Sequence, residues 1–417
     1  MRTMPSAAPV AESERLQALD VIRGFAVLGI LVMNVQMFSM PYAAYFNPFA
    51  LGQPSSRDLA VWSIAHVLAD QKFMTIFSLL FGAGVLLQAA RVAERGVSPG
   101  AIHYRRMTWL IVFGLLHAYV LWHGDILVLY AVCGMLLYPA RRLSPRTLLA
   151  LGLGALAVGS AIALSAGLTM DMWPPEAVRD FSDSWKPPAD EIAAETAAFQ
   201  GGWMSQLPWR TAYSSEAQTS DMFFWGIWRA GGLMLAGMAL LKLGVLTGAR
   251  PRAFFARLAV VGFGVGLPLV AWGLARNHAT GWNVRDGFFL AAQWNYWGSL
   301  IVSLGWIGLL LTLWHSGAAR GTMARLAAVG RMAFTCYIFE TLISTSVFYG
   351  HGLGLFGRVD RLGQMLFTVA VWIVLLIVAP LWLARFRYGP LEWLWRTLTY
   401  GHAEPLARGP KTAASAV

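Results

Sequence analysis

About ten apolar runs, each near the length that crosses a bilayer, constrain this chain more than any motif in it. A membrane-spanning helix needs roughly 20 apolar residues. Such runs recur from Leu19 to Met40, Phe73 to Ala90, Met107 to Trp122, Ile126 to Ala140 and Thr147 to Leu168. They resume from Phe223 to Leu246, Phe254 to Ala275, Gly287 to Trp314, Leu326 to Tyr349 and Met365 to Ala384. Backbone polar groups in lipid must be satisfied within the segment, so each run is read as a closed helix. Hydrophobic residues make up 57% of the 417 and charged residues 13%, against about a quarter in a soluble domain. A soluble core could not absorb that much apolar surface. The expected fold is all-α: one polytopic domain over residues 1–417, a bundle of about ten transmembrane helices.

Charge sets the expected orientation. With the amino terminus on the cytoplasmic side, the loops on that side carry Arg91, Arg95, Arg105, Arg106, Arg141, Arg142, Arg146, Lys242, Arg250, Arg252, Arg257, Arg320, Arg325 and Arg331. The tail over residues 385–417, expected to hold an interfacial helix, adds Arg385, Arg387, Arg396, Arg408 and Lys411. The long segment over residues 169–222 has nine acids against three bases, a net of −6, so the overall +11 leaves about +17 elsewhere. The positive-inside rule then places both termini in the cytoplasm and the acidic segment outside. The basic pI fits anionic lipid headgroups and calls for no nucleic acid. Within the acidic segment, KPPADEIAAETAAFQ reads as a helix started by proline with acids in its first turn, and Trp203 and Trp209 are expected at headgroup level.

The small-residue stretch SAAPVA precedes the first apolar run, with Glu12, Glu14 and Arg15 after it, so no cleavable signal peptide is expected. Cys133 and Cys336 lie inside apolar runs without CxxC spacing and read as small buried hydrophobes, which argues against a disulfide framework or a metal site. No internal repeat stands out. FGAG, from Phe81 to Gly84, reads as a small-residue packing feature and lacks the strand and lysine of a P-loop.

Ionisable groups at membrane depth are costly, which makes them functional candidates by default. The hairpin from Arg105 to Pro139 carries His117, His123 and Asp125 at its turn. Helices joined by so short a turn must be neighbours, so His117 and Asp125 can approach, the carboxylate holding the imidazole tautomer and leaving the other nitrogen as a base. A satisfied interhelical histidine is the competing reading. Leu59 to Asp70 is expected along the outer interface, leaving His66, Asp70 and Lys72 at that level, as substrate contacts or as interfacial and helix-start residues. His123 reads as a turn residue or a substrate contact. Asn34 lies further along the first run, and Glu340 falls near the bilayer midplane as a relay, a substrate contact or a structural hydrogen bond. Asp20 and Arg23 share a helix face near the basic end, either as a structural pair or as part of an anion site. Arg23, Arg105 and Arg106 form a cationic rim there, suited to phosphate and equally to the positive-inside rule alone.

Five segments together resemble the YeiB family of bacterial inner-membrane proteins, a domain of unknown function. They are LDVIRGFAVLGILVMN (Leu19 to Asn34), KFMTIFSLLFGAG (Lys72 to Gly84), GLLHAYVLWHGDILVLYAVCG (Gly114 to Gly134), GRMAFTCYIFETL (Gly330 to Leu342) and RFRYGPLEWLWRTLTYG (Arg385 to Gly401). TCYIFE departs from the TNYLLQ common in that family, so Glu340 stands where an amide is usual. The family is remotely similar to heparan-alpha-glucosaminide N-acetyltransferase and to membrane acyltransferases of surface polysaccharides. That likeness implies an acyl-coenzyme A co-substrate arriving from the cytoplasm and a histidine base. The position equivalent to the lysosomal enzyme's histidine falls near Ala60, so His66 or His117 would serve.

The leading expectation is therefore a transmembrane acyltransferase. His117 and Asp125 are its catalytic pair, Arg23, Arg105 and Arg106 bind the donor, and His66, Asp70, Lys72, Asn34, His123 and Glu340 are substrate contacts, with no metal and no tightly bound cofactor. Expected partners are membrane lipids and a small-molecule or envelope-glycan substrate, with a homodimer left open. A transporter or exporter of a metabolite or lipid is the alternative, and a scaffold using the acidic segment is a third.

Overall fold

The computed structural model describes residues 17–408; the signal-peptide reading from Ser6 to Arg15, and Lys411, fall outside them. The first half contains α1 (Gln17–Ser39), the one-turn α2 (Ala43–Phe46), α3 (Ser56–Leu68), α4 (Lys72–Glu94) and α5 (Pro99–Leu116), which a π-helical turn (His117–Leu121) extends. It continues with α6 (Leu127–Leu137), a 3-10 turn (Tyr138–Arg142) and α7 (Pro145–Thr169). The acidic segment is helical: α8 (Pro175–Trp185), α9 (Ala189–Gln200) and α10 (Leu207–Gln218). A π-helical stretch (Met222–Gly231) leads into α11 (Gly232–Lys242), then come α12 (Arg252–Ala279), a second π-helical stretch (Arg285–Leu290) and α13 (Ala292–Ser316). The chain closes with α14 (Arg320–Arg331), α15 (Ala333–Phe348), α16 (Arg361–Arg385) and α17 (Pro390–Tyr400).

Among the described residues, seven helical runs are long and apolar enough to cross a membrane, and an eighth is added if α14 and α15, bent by 84° across their junction, make one span. This is an all-α, multi-pass membrane bundle. Both hairpin arms fall outside that set, because α5 carries Arg105 and Arg106 within 18 residues and α6 has 11 residues. The expected count of about ten is reached only if both arms also cross. Burial sorts the helices by position. In the most apolar window of α1, 72% is buried, against 28% in α7, α12 and α16. Those three carry exposed leucine, isoleucine and valine, including Leu151, Val260, Ile373 and Leu381, the side chains that face lipid in a bundle.

α9 starts after Pro188 with Asp190 and Glu191 in its first turn, as the sequence suggests. α3 joins α4 in a 39-residue helical run, interrupted at Gln71 with φ 62°. At 1.5 Å per residue that run is roughly 58 Å, about twice the hydrocarbon thickness, so one end projects beyond it.

Close backbone approach explains two of the segments singled out in the sequence. α1 crosses α14 where a Cβ on Gly24 would lie 1.9 Å from the Leu326 carbonyl oxygen and one on Gly330 would lie 1.9 Å from that of Asp20. Arg23 pairs with Asp20 at 2.8 Å and reaches the Gly330 carbonyl at 3.5 Å, so LDVIRG and GRMAFT are two sides of one contact. In FGAG, Gly82 packs on the Met234 backbone of α11, whereas nothing lies within 4 Å of a Cβ placed on Gly84. The PLEW segment caps the broken helix. Glu392 of α17 accepts the backbone N–H of Phe334 (2.7 Å) and of Thr335 (3.1 Å) and the Thr335 hydroxyl (2.5 Å), placing negative charge at the start of α15.

Overpacking a tight contact costs about 1–3 kcal/mol and sometimes more. Gly24→Ala should therefore lower the thermal midpoint of the detergent-purified protein or prevent its recovery. Gly84→Ala should leave the midpoint unchanged or slightly raised, since alanine also favours the helix.

Candidate functional site

The hairpin turn is built from two helix ends that need outside help. α5 loosens into the π-helical turn, closed by the Trp122 N–H donating to the His117 carbonyl at 2.8 Å. Such π segments free carbonyls and recur at functional sites. The acidic segment collects those carbonyls. Ser214 donates to Ala118 O (3.0 Å), Arg210 to Val120 O (2.9 Å) and Tyr119 O (3.4 Å), and the Trp203 indole to Val120 O (2.9 Å). Arg210 is fully buried there, a cation at a helix C-terminus. Trp203 thus holds the hairpin rather than simply resting at headgroup level, and Trp209 packs on Tyr213.

His117 and Asp125 meet as the sequence suggests. Asp125 Oδ1 lies 2.8 Å from His117 Nδ1, and Oδ2 accepts the Val128 N–H at 3.0 Å, capping α6. A Cβ on Gly114 would stand 2.8 Å from Val128 N and 3.0 Å from Asp125 Oδ2, so that glycine admits the carboxylate between the arms. Nε2, the other ring nitrogen, lies 3.0 Å from the Thr341 hydroxyl of α15. His117 is 1% exposed and both pair side chains are at most 2% exposed.

His123 stands in the turn between the extension of α5 and α6. It is buried within ring contact of Tyr213 (5.0 Å), Tyr42 (5.7 Å), Trp122 (5.9 Å) and Phe199 (6.1 Å), with neither ring nitrogen hydrogen-bonded. Glu340, beside Thr341 on α15, is also buried, and its Oε1 has no hydrogen-bond partner among the described residues.

His66, Asp70 and Lys72 gather in a second cluster. Asp70 Oδ2 lies 3.0 Å from His66 Nδ1 and accepts Asn295 Nδ2 at 2.7 Å, while Lys72 donates to Asn295 Oδ1 (2.6 Å) and His66 O (2.8 Å). Lys72 therefore reaches Asp70 through Asn295 of α13. Arg229 joins from the π-helical stretch before α11. It is fully buried and donates to Tyr296 O (2.6 Å), Ser299 Oγ (2.6 Å) and Thr75 Oγ1 (3.1 Å). No hydrogen bond ties Asn34, half-buried on α1, to either cluster.

At the basic face Arg106 stacks 4.0 Å over Trp395 and lines a small cavity of about 50 Å³ with Glu392, Arg396, Thr399 and Tyr400. Arg23 and Arg396 are its electrostatic neighbours, and Arg105 is exposed on α5. Of the residues the sequence passed over, Arg229 alone had a clear signal, an arginine inside an apolar run. Thr341, Arg210 and Glu195 acquire meaning only through partners distant in the chain.

Comparison with known proteins places this arrangement. The "Uncharacterized protein YeiB" of Escherichia coli (strain K12) is 32% identical over 394 residues, covering 94% of the chain and 98% of the relative. The chain belongs to the YeiB family. "Uncharacterized protein YxaH" of Bacillus subtilis (strain 168) is 29% identical over 427 residues, covering 98% of the chain and all of the relative. Residues 240–402 match the family described as "Protein of unknown function (DUF418)". The YeiB-family identity covers both clusters and the acidic segment that closes over the hairpin.

That closure contains a titrating contact. Glu195 of α9 accepts the Tyr42 N–H at 3.0 Å and the Tyr213 hydroxyl, and burial raises its pKa from 4.5 to about 7. A carboxyl whose pKa is higher when docked favours docking at low pH, and that contribution is lost as pH rises from about 4.5 through about 7. Hydrogen-exchange protection factors of residues 189–218, with the intrinsic pH dependence of amide exchange divided out, should fall over that window and level off above it. Glu195→Gln should flatten the dependence.

Proposed function

We propose that this YeiB-family protein is a transferase of the bacterial inner membrane that passes an acyl group from a cytoplasmic acyl-coenzyme A-like thioester to a small-molecule or envelope-glycan acceptor across the membrane. The observation that carries the reading is the buried Asp125–His117 pair, whose Nε2 stands 3.0 Å from the Thr341 hydroxyl. That is the geometry required of a general base. His117 is the base, and Asp125 is a positioning residue that fixes its tautomer.

Donor and base lie on one helix. Arg106 and His117 are eleven positions apart on α5 and its extension, roughly 16 Å along the axis. The donor's phosphates sit with Arg23, Arg106 and Arg396 at the basic face, with exposed Arg105 at the rim, and its thioester extends toward the hairpin. The acceptor enters from the acidic face, beside His123.

Export of a small metabolite or lipid is a second reading, favoured by the buried cations Lys72 and Arg229 and by the 84° break between α14 and α15. Purified protein in proteoliposomes separates the two: a covalent acylated product supports transfer, and counterflow of unmodified solute supports export. For transfer, His117→Ala should lower the rate by about 10²- to 10⁴-fold. Asp125→Asn should lower it through the wrong tautomer with little change in donor binding. Full acyl transfer by His117→Ala would rule out the assignment.

A further inference from the structure

We infer that Thr341 is the residue that carries the acyl group, so that transfer runs in two covalent steps; this rests on the acyl-transfer reading above. Its Oγ1 lies 3.0 Å from His117 Nε2, and Asp125 Oδ1 lies 2.8 Å from His117 Nδ1. Hydroxyl, imidazole and carboxylate are thus joined in sequence, the relation that activates an otherwise weak nucleophile. The hydroxyl's other hydrogen-bond partner, the Tyr337 carbonyl one turn back, is further away at 3.4 Å. When Asp125 accepts from Nδ1, Nε2 is open to accept from the Thr341 hydroxyl, whose one proton turns from the Tyr337 carbonyl to the imidazole for transfer.

The surroundings are those of a reaction centre and not of a helix-packing hydrogen bond alone. Thr341, His117 and Asp125 come from α15, the end of α5 and the turn before α6, and all are withdrawn from solvent. Three nearby positions on those same elements hold buried polar atoms without hydrogen-bond partners among the described residues: Ser344 Oγ one turn beyond Thr341, Glu340 Oε1 beside it, and Trp122 Nε1, whose ring centroid is 6.0 Å from that of His117. A buried polar atom normally has a partner, so each is a group still able to bond. Trp122 and Ser344 are donors, the kind of group that the oxyanion of a tetrahedral intermediate requires.

In the first step Thr341 Oγ attacks the thioester carbonyl while His117 Nε2 takes the hydroxyl proton. The C–S bond then breaks, His117 returns the proton to the departing sulfur, and the products are acyl-Thr341 and a free thiol. In the second, an acceptor hydroxyl or amine attacks the ester, His117 takes its proton, and the C–O bond to Thr341 breaks. The proton passes to Thr341 Oγ, which restores the starting state. No oxidant, reductant or further reactant enters.

The experiment incubates detergent-purified protein with radiolabelled acetyl-, succinyl- and palmitoyl-coenzyme A, without added acceptor, and maps label by peptide mass spectrometry. Thiol release is followed in parallel. Label on Thr341 in the native protein, its absence in the near-isosteric Thr341→Val, and its slower appearance in Thr341→Ser support the inference. Elution and melting profiles matching the native protein show that Thr341→Val is folded. Native-rate transfer by Thr341→Val, with transfer abolished in His117→Ala, overturns the covalent step and leaves His117 as base for direct transfer. If the native protein turns over none of the three thioesters, the acyl-transfer reading fails and this inference fails with it.

Discussion

The interaction on which the rest of the site depends is the capping of helix ends that stop inside the protein. A helix that terminates there leaves backbone groups without partners, and lipid supplies none. Here the missing partners come from elements distant in sequence. Arg210, Ser214 and Trp203 satisfy the last carbonyls of the extended α5, and Glu392 satisfies the first amides of α15. Those are the two helices that bring His117 and Thr341 to 3.0 Å. The acidic segment and the tail helix are therefore structural conditions of the site, not appendages to a transmembrane core.

α1 organises the two polar clusters from the centre of the bundle. Its basic end is fixed against α14 by Gly24 and Gly330, and at its other end the chain passes directly into α2. There Tyr42 lies 5.7 Å from the His123 ring, while the Tyr45 hydroxyl lies 3.5 Å from Asp70. Two tyrosines three positions apart thus touch one cluster each. A shift of α2 would be felt at His123 and at Asp70 together, and Glu195, which holds the Tyr42 N–H, is placed to bias it.

What could be read in the sequence follows the range of the forces involved. Span positions were legible because bilayer thickness imposes a length and lipid imposes apolarity on every residue of a run. The His117–Asp125 contact was legible because a turn from Trp122 to Ile126 leaves two helices no alternative to adjacency. Thr341 was not, since nothing local says that α15 packs on the end of α5. The continuation of α3 into α4 was not legible either, because Asp58 to Gln88 is too long for one straight span. Asp70 and Lys72 look too polar for the interior of a helical run, and they are admitted there by Asn295, more than 200 positions away. Arg210 was visible only as one charge among many until its carbonyl partners were known.

The two clusters also differ in the kind of work their bonding permits. Lys72 and Arg229 are fully buried, and five of their hydrogen bonds go to backbone and side-chain oxygens of α3, α4 and α13, a pattern that ties these helices together, although Arg229 Nε has no partner among the described residues. Around His117 the bonds are fewer. One nitrogen is locked by a carboxylate and the other meets a hydroxyl, while Trp122, His123, Glu340 and Ser344 retain polar atoms without hydrogen-bond partners. A densely bonded network resists change, and polar atoms without partners beside an oriented imidazole leave groups to stabilise charge that is not yet there. On that contrast rests our proposal of chemistry at the hairpin, with the Asp70–Lys72–Arg229 cluster as the frame that keeps the surrounding helices in register.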